Sequence, residues 1–187
     1  MLAKLEGSVL VLVDMQPSFL QPIDGGERVS QRCAFILEIA ELLGVPILAT
    51  EQYPSRMGGT DERLLPILAK ANVTPYPKMS FSCAGCEPFL DQLESLDSRQ
   101  VVLIGIETHI CINQTTHELL DRDHSVLVCG DAVGARDAAM HEIGLERMRN
   151  AGAVIAHSES IAYEWLHTAD NSKFKEALGI VKRFAAR

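Results

Sequence analysis

The sequence predicts a single α/β domain: a parallel β-sheet with helices on both faces. Two observations carry this. Apolar strand-sized runs alternate with helix-period segments along the whole chain, and the strands are continuously apolar rather than alternating. Continuous apolar strands are buried on both faces, which is the signature of a parallel sheet covered by helices. The 187 residues suit one domain over residues 1–187, large enough to bury a core without a metal or disulfide staple.

Ser8 to Val13 (SVLVLV) is the first buried strand. Gly25 and Gly26 break the chain, and Glu27 to Leu43 then carries Val29, Cys33, Ile36, Ala40 and Leu43 at three-to-four spacing, an amphipathic helix closed by Gly44. Val45 to Thr50 is the next strand, followed by a polar Gly- and Pro-containing loop to Thr60. Asp61 to Ala71 reads as a short helix with Pro66 awkwardly inside it, and Pro75 to Pro77 as an extended edge segment. Glu87 to Leu96 is helical, Gln100 to Ile106 (QVVLIGI) is a second buried strand, and helix follows from about Cys111 to Asp123. Ser125 to Cys129 and Ala153 to His157 are strands enclosing a helix over Asp137 to Ala151, and Ser172 to Phe184 is the final helix.

Composition narrows the function. Seventeen basic against 25 acidic residues give a net charge of −8, which disfavours nucleic acid and anionic membranes as partners. No apolar run approaches a membrane span, and the first residues lack a signal-peptide core, so a cytoplasmic protein is expected. Five cysteines, an odd number, argue for free thiols. Cys83-Ala84-Gly85-Cys86 is a lone C-x-x-C without a second ligand pair for zinc; a redox role would require these two thiols to react first. The tail from Lys182 and Arg183 to Arg187 is mildly basic and reads as a solvated helix end.

Ligands of open α/β sheets bind beyond the carboxyl ends of the strands. Three reactive side chains fall there: Asp14 after the first strand, Lys78 after the extended segment, and Cys111 five residues after QVVLIGI. Each alone has a plain structural reading, as a turn cap, a surface lysine or a small core residue. Together they make coherent chemistry: a cysteine near a helix start, an ammonium that favours its thiolate, and a carboxylate to take its proton. The reaction this describes is acyl transfer from an amide or related carbonyl to cysteine, then hydrolysis.

The blocks Val13-Asp14-Met15-Gln16, Thr50-Glu51-Gln52-Tyr53-Pro54, Pro77-Lys78-Met79-Ser80-Phe81-Ser82 and Gly105 to Ile112 (GIETHICI) resemble those of the isochorismatase-like cysteine hydrolases. So do Asp131-Ala132-Val133, Arg136, His141 and Met148 to Ala153 (MRNAGA). The resemblance runs from residue 8 to about 163. It implies a three-layer αβα domain with a six-stranded parallel sheet, a homo-oligomer, and an Asp14–Lys78–Cys111 triad. In that triad Asp14 is the base, Lys78 holds the cysteine as thiolate, and Cys111 attacks. It further implies a cis peptide at Ile106–Glu107, with the backbone N–H groups of Glu107 and Cys111 as an oxyanion hole.

Two departures refine the expectation. Nicotinamidases of the family hold a metal through an Asp and two His after the second strand, whereas Glu51 to Gly58 contains no histidine. No metal or cofactor is therefore expected. Isochorismatases proper lack the cysteine, so Cys111 argues against vinyl-ether cleavage. The chain is closest in pattern to the metal-free, poorly characterised branch, acting on a small-molecule substrate. The competing reading is an oligomeric scaffold of the same fold with little hydrolase activity. Gln16 either points into the pocket or binds loop backbone; Phe19, Tyr53 and Phe81 either wall the pocket or pack at its rim; His109 lines it. Trp165 is placed at a subunit interface or pocket rim. The apolar Ile161–Trp165 stretch and the C-terminal helix, with Phe174, Leu178, Val181 and Phe184, are the faces expected to be covered by a second copy, with the pocket near that boundary.

Overall fold

A computed structural model of the chain describes residues 1–185; Ala186 and Arg187, the end of the basic tail, lie outside the described residues. Strands β1 (Ser8–Val13), β2 (Ile47–Gln52), β3 (Tyr76–Lys78), β4 (Gln100–Ile106), β5 (Ser125–Gly134) and β6 (Val154–Ala156) form one sheet in the order β3-β2-β1-β4-β5-β6. All of its pairings are parallel. Every residue of β1 and β4 is buried, as continuous apolar strands require. Their side chains divide between two cores. Leu10, Leu12, Val102 and Ile104 point to one face, and Val9, Val11, Val101 and Leu103 to the other.

In chain order the helices are α1 (Pro17–Leu20), α2 (Gly26–Leu43), α3 (Pro54–Met57), α4 (Leu65–Lys70), α5 (Glu87–Ser95), α6 (Asn113–Leu120), α7 (Ala138–Asn150), α8 (Ser158–Leu166) and α9 (Phe174–Ala185). The first core joins the sheet to α2 and α8, whose Phe35, Ile36 and Trp165 are fully buried. The second joins it to α5, α6 and α7 through Phe89, Leu119 and Met148. This is the three-layer arrangement read from the sequence.

Several boundaries differ, each for a physical reason. The strand expected to start at Val45 starts at Ile47, because the Val45 N–H donates to the Ala40 carbonyl and still belongs to the close of α2. Gly44 ends that helix at φ 74°, the left-handed conformation that favours glycine. The helix expected from Asp61 is confined to Leu65–Lys70, which puts Pro66 in its first turn, where its missing N–H costs nothing. β5 runs on to Gly134, and the β4–β5 register shifts between Leu103 and Gly105.

Much of the apolar surface expected to meet a second copy packs within this chain, although Leu178 is not among the residues on the core and Tyr163 is exposed. Ile161, Ala162 and Trp165 belong to α8, an element absent from the sequence reading, and are fully buried in the first core. Trp165 Nε1 donates to Ser8 Oγ at 3.3 Å, at the far end of β1 from Asp14, so Trp165 lies away from the strand ends that carry Asp14. Phe174, Val181 and Phe184 of α9 also pack on that core.

Candidate active site

β1 and β4 are neighbours at the centre of the sheet, and the connection from β1 goes one way while β4 lies on the other side. That reversal opens a crevice at the carboxyl ends of the strands. Asp14 leaves β1 there with φ 52°, a left-handed conformation that aspartate tolerates better than most residues. Alongside, Gly105 of β4 has φ 116°, and a Cβ on it would fall 2.1 Å from the Val13 carbonyl oxygen. Only glycine allows the two strands this approach beneath the crevice.

Lys78 ends edge strand β3, paired with Gln52 of β2. Its side chain is fully buried, and Nζ donates to Asp14 Oδ2 and Gln52 Oε1 at 2.7 Å each, and to the carbonyls of Phe81 at 2.9 Å and Ser80 at 3.1 Å. An ammonium has three donors and no acceptor, so four oxygens consume it completely. Asp14 Oδ1 accepts from the Thr50 hydroxyl at 2.8 Å. Burial pushes the Asp14 carboxyl above its ordinary range, and the Lys78 charge and hydrogen bond pull it partway back.

Cys111 sits in a π-helical turn, Thr108–Ile112, that runs into α6. The helical path thus starts three residues before the cysteine, not at it. The Cys111 thiol is within hydrogen-bonding reach of the Asp14 carboxylate, and both line a cavity of about 90 Å³ with Phe19, Gln52, Phe81, Ile106, Glu107 and Ile110. Burial first, then the Asp14 charge, pushes the thiol well up, while Lys78 only opposes the rise. Lys78 Nζ is bonded to oxygens rather than to the sulfur.

The Ile106–Glu107 peptide bond is cis. Glu107 lines the cavity, and among the described residues no acceptor meets its backbone N–H. Its carboxylate is ion-paired with Arg136 Nε at 3.0 Å.

The remaining sequence candidates divide. Phe19 and Phe81 line the cavity. Gln16 does not: it is fully buried, its Oε1 accepting from the Gln52 N–H at 2.7 Å and its Nε2 donating to the carbonyls of Gly58 at 2.6 Å and Gln52 at 3.1 Å. With its amide saturated by backbone, it braces the loop after β2. Tyr53 stands exposed outside the cavity lining; His109 is half-buried and also outside it, its buried Nδ1 without a hydrogen-bond partner among the described residues. Gln52 is the site residue missed. A neutral amide carries no charge signal, and only the β2–β3 register sets it against Lys78, where its Nε2 also donates to the Met79 carbonyl at 2.9 Å.

The donors at the end of β2 do not fit a metal. Glu51 Oε1 accepts from the Thr60 N–H and hydroxyl at 2.6 and 2.7 Å, and Gln52 Oε1 is committed to Lys78. The C-x-x-C pair does not fit a redox centre. Cys83 and Cys86 are free and buried, and burial pushes the Cys83 thiol up to about 11, opposite to an attacking dithiol.

The Isochorismatase domain family matches residues 8–160. The chain is 38% identical over 178 residues to the Mus musculus isochorismatase domain-containing protein 2A, covering 95% of this chain and 84% of that one. Among solved structures, the MAR1 ribonuclease from Caenorhabditis elegans superposes with a TM-score of 0.92 at 31% identity, covering 97% of this chain and 93% of its own. The YcaC gene product from Escherichia coli, an octameric hydrolase of unknown specificity, superposes with a TM-score of 0.87 at 14% identity, covering 100% and 97%.

Proposed function

The chain belongs to the isochorismatase family, and from that premise we propose that it is a cysteine-dependent hydrolase of a small amide or related carbonyl compound. The observation that carries this is the meeting of the Cys111 thiol and the Asp14 carboxylate at one cavity, with Lys78 locked behind the carboxylate. Asp14 takes the thiol proton as Sγ attacks the carbonyl carbon. Burial raises the proton affinity of its carboxyl, as a base requires, and the Lys78 charge and hydrogen bond oppose that rise. The N–H groups of Glu107 and Cys111 receive the oxyanion. Collapse breaks the C–N bond, the leaving amine takes the proton from Asp14, and a thioester remains. Water then attacks the thioester and gives a proton to Asp14, the acid leaves, and Cys111 regains its proton. No step needs a metal or cofactor.

A panel of small amides, ureides and carbamoyl compounds, followed by turnover and intact mass, tests the reading. Hydrolysis by the natural sequence, with an acyl adduct on Cys111 and neither in Cys111→Ala, is the expected result. Turnover by Cys111→Ala would exclude covalent catalysis. RNA belongs in the same panel because of the name of the C. elegans neighbour. The net charge of −8 and a cavity of about 90 Å³ both speak against it.

The proposal extends to assembly and location. The octameric state of the E. coli neighbour supports a homo-oligomer, and Met79 and Phe81 are exposed apolar side chains beside the site. Light scattering at micromolar concentration should give a mass well above the 20.5 kDa of one chain; a mass at that value would refute the assembly. Five free thiols, together with no described helix long and apolar enough to cross a membrane, suit the reducing cytoplasm.

A further inference from the structure

The cavity over Cys111 measures about 90 Å³, well below the ~300 Å³ at which drug-sized sites begin. At ~10–15 Å³ of such space per water it holds roughly six to nine waters, room for a small substrate and little more. Its walls are Phe19, Phe81, Ile106 and Ile110. The charged side chains among the lining residues, Asp14 and Glu107, are both carboxylates. The neighbouring cations are turned to other partners. Lys78 is absent from the lining and gives its protons to four oxygens, and Arg136 is paired with Glu107 at 3.0 Å.

A carboxylate on the substrate would therefore lose its hydration among phenylalanine and isoleucine and gain no cation in return. We infer that the site selects short, uncharged amides with a compact apolar substituent and rejects both anionic compounds of equal size and ring-bearing amides. The inference rests on Cys111 as the nucleophile in the proposed function, and the test below separates the two.

The test is alkylation of Cys111 at pH 8.5 by iodoacetamide and iodoacetate, which match in size and differ in charge. In both, the sulfur–carbon bond forms as iodide leaves and the thiol proton passes to base. Each rate, read by peptide mass spectrometry, is divided by the same reagent's rate with glutathione. Iodoacetamide should exceed iodoacetate by at least ~10-fold, the scale of one like-charge encounter in a desolvated site. N-benzyl iodoacetamide should fall behind iodoacetamide similarly. Glu107→Gln, which removes one carboxylate and releases Arg136, should raise the iodoacetate rate several-fold. Equal normalised rates, a preference for iodoacetate, or no labelling of Cys111 by either reagent would overturn the inference. If the selectivity holds while acetamide, propionamide and isobutyramide are all left intact, the hydrolase reading falls and the selectivity stands.

Discussion

At the scale of single residues, the Asp14–Lys78 pair is asymmetric, and the asymmetry is measurable. Lys78 has three oxygen acceptors besides Asp14: Gln52 Oε1 and the carbonyls of Ser80 and Phe81. Asp14 has two neutral side-chain donors besides Lys78, the Thr50 hydroxyl and the Cys111 thiol. Removing one member of a buried pair is costly because the other charge is left uncompensated, typically by ~3–5 kcal/mol. Lys78→Ala should therefore lose stability on that scale, or force Asp14 to protonate, whereas Asp14→Asn keeps a polar partner and should lose less than half as much. Urea unfolding of the two variants checks this; equal losses would show that the backbone carbonyls do not share the ammonium. Cys111→Ala deletes only a sulfur and should unfold close to the natural sequence, which makes its loss of turnover interpretable. The three reactive residues were legible because each is a charged or nucleophilic type at a strand end. Gln52 and the two carbonyls around Lys78 were not, since neutral amides and backbone atoms leave no trace that pattern reading detects.

At the scale of elements, the nucleophile is held by a turn rather than by a regular helix. α7 packs directly against the π-helical turn, and its Gly144 makes the closest approach. A Cβ there would lie 3.1 Å from both His109 Cα and Thr108 Cγ2. The same interface joins the Thr108 hydroxyl to His141 Nδ1 at 2.9 Å. Gly144→Ala should therefore push α7 outward or shift the turn, and a displacement of ~1 Å at a nucleophile costs up to ~100-fold in rate. We expect acylation of Cys111 to slow at least ~10-fold while helix propensity favours the alanine. Far-ultraviolet dichroism with acylation kinetics decides it: an unchanged rate would mean that the turn is fixed from the α6 side alone. Element boundaries show why sequence signals failed in places. α8 was invisible because His157, whose side chain accepts from the Glu159 N–H, does the capping usually left to Ser, Thr, Asp or Asn. The apolar residues of α8 then read as an uncovered surface, whereas they close the first core. β1 and β4 were plain because, after the polar first residues Ser8 and Gln100, a strand buried on both faces runs unbroken in non-polar residues.

At the scale of the whole molecule, both cores contain buried thiols. Cys33 and Cys129 lie in the first core, and Cys83, Cys86 and Cys111 in the second. Burial pushes four of them, Cys33, Cys83, Cys111 and Cys129, above the ordinary thiol value of about 9, Cys83 to about 11 and the others further, with the Asp131 charge adding to the rise at Cys33 and Cys129. The sign follows from linkage. A group whose pKa is raised by folding holds its proton more tightly in the native state, so its full contribution is present below the unfolded value. That contribution drains away as the pH climbs from about 9 through 11, because the unfolded chain can ionise its thiols and the native one cannot. Each such thiol removes ~1.4 kcal/mol per pH unit. The protein should therefore lose stability steeply above pH 9, faster than one titrating group allows, while its native spectrum persists until cooperative unfolding. Tyrosines and lysines also titrate there, so the comparison is with Cys33→Ala/Cys129→Ala, which removes half of these thiols and should flatten the pH dependence of the urea midpoint correspondingly. A midpoint that falls equally in both proteins would place the alkaline limit elsewhere, and the two cores would then tolerate thiolates that their apolar surroundings argue against.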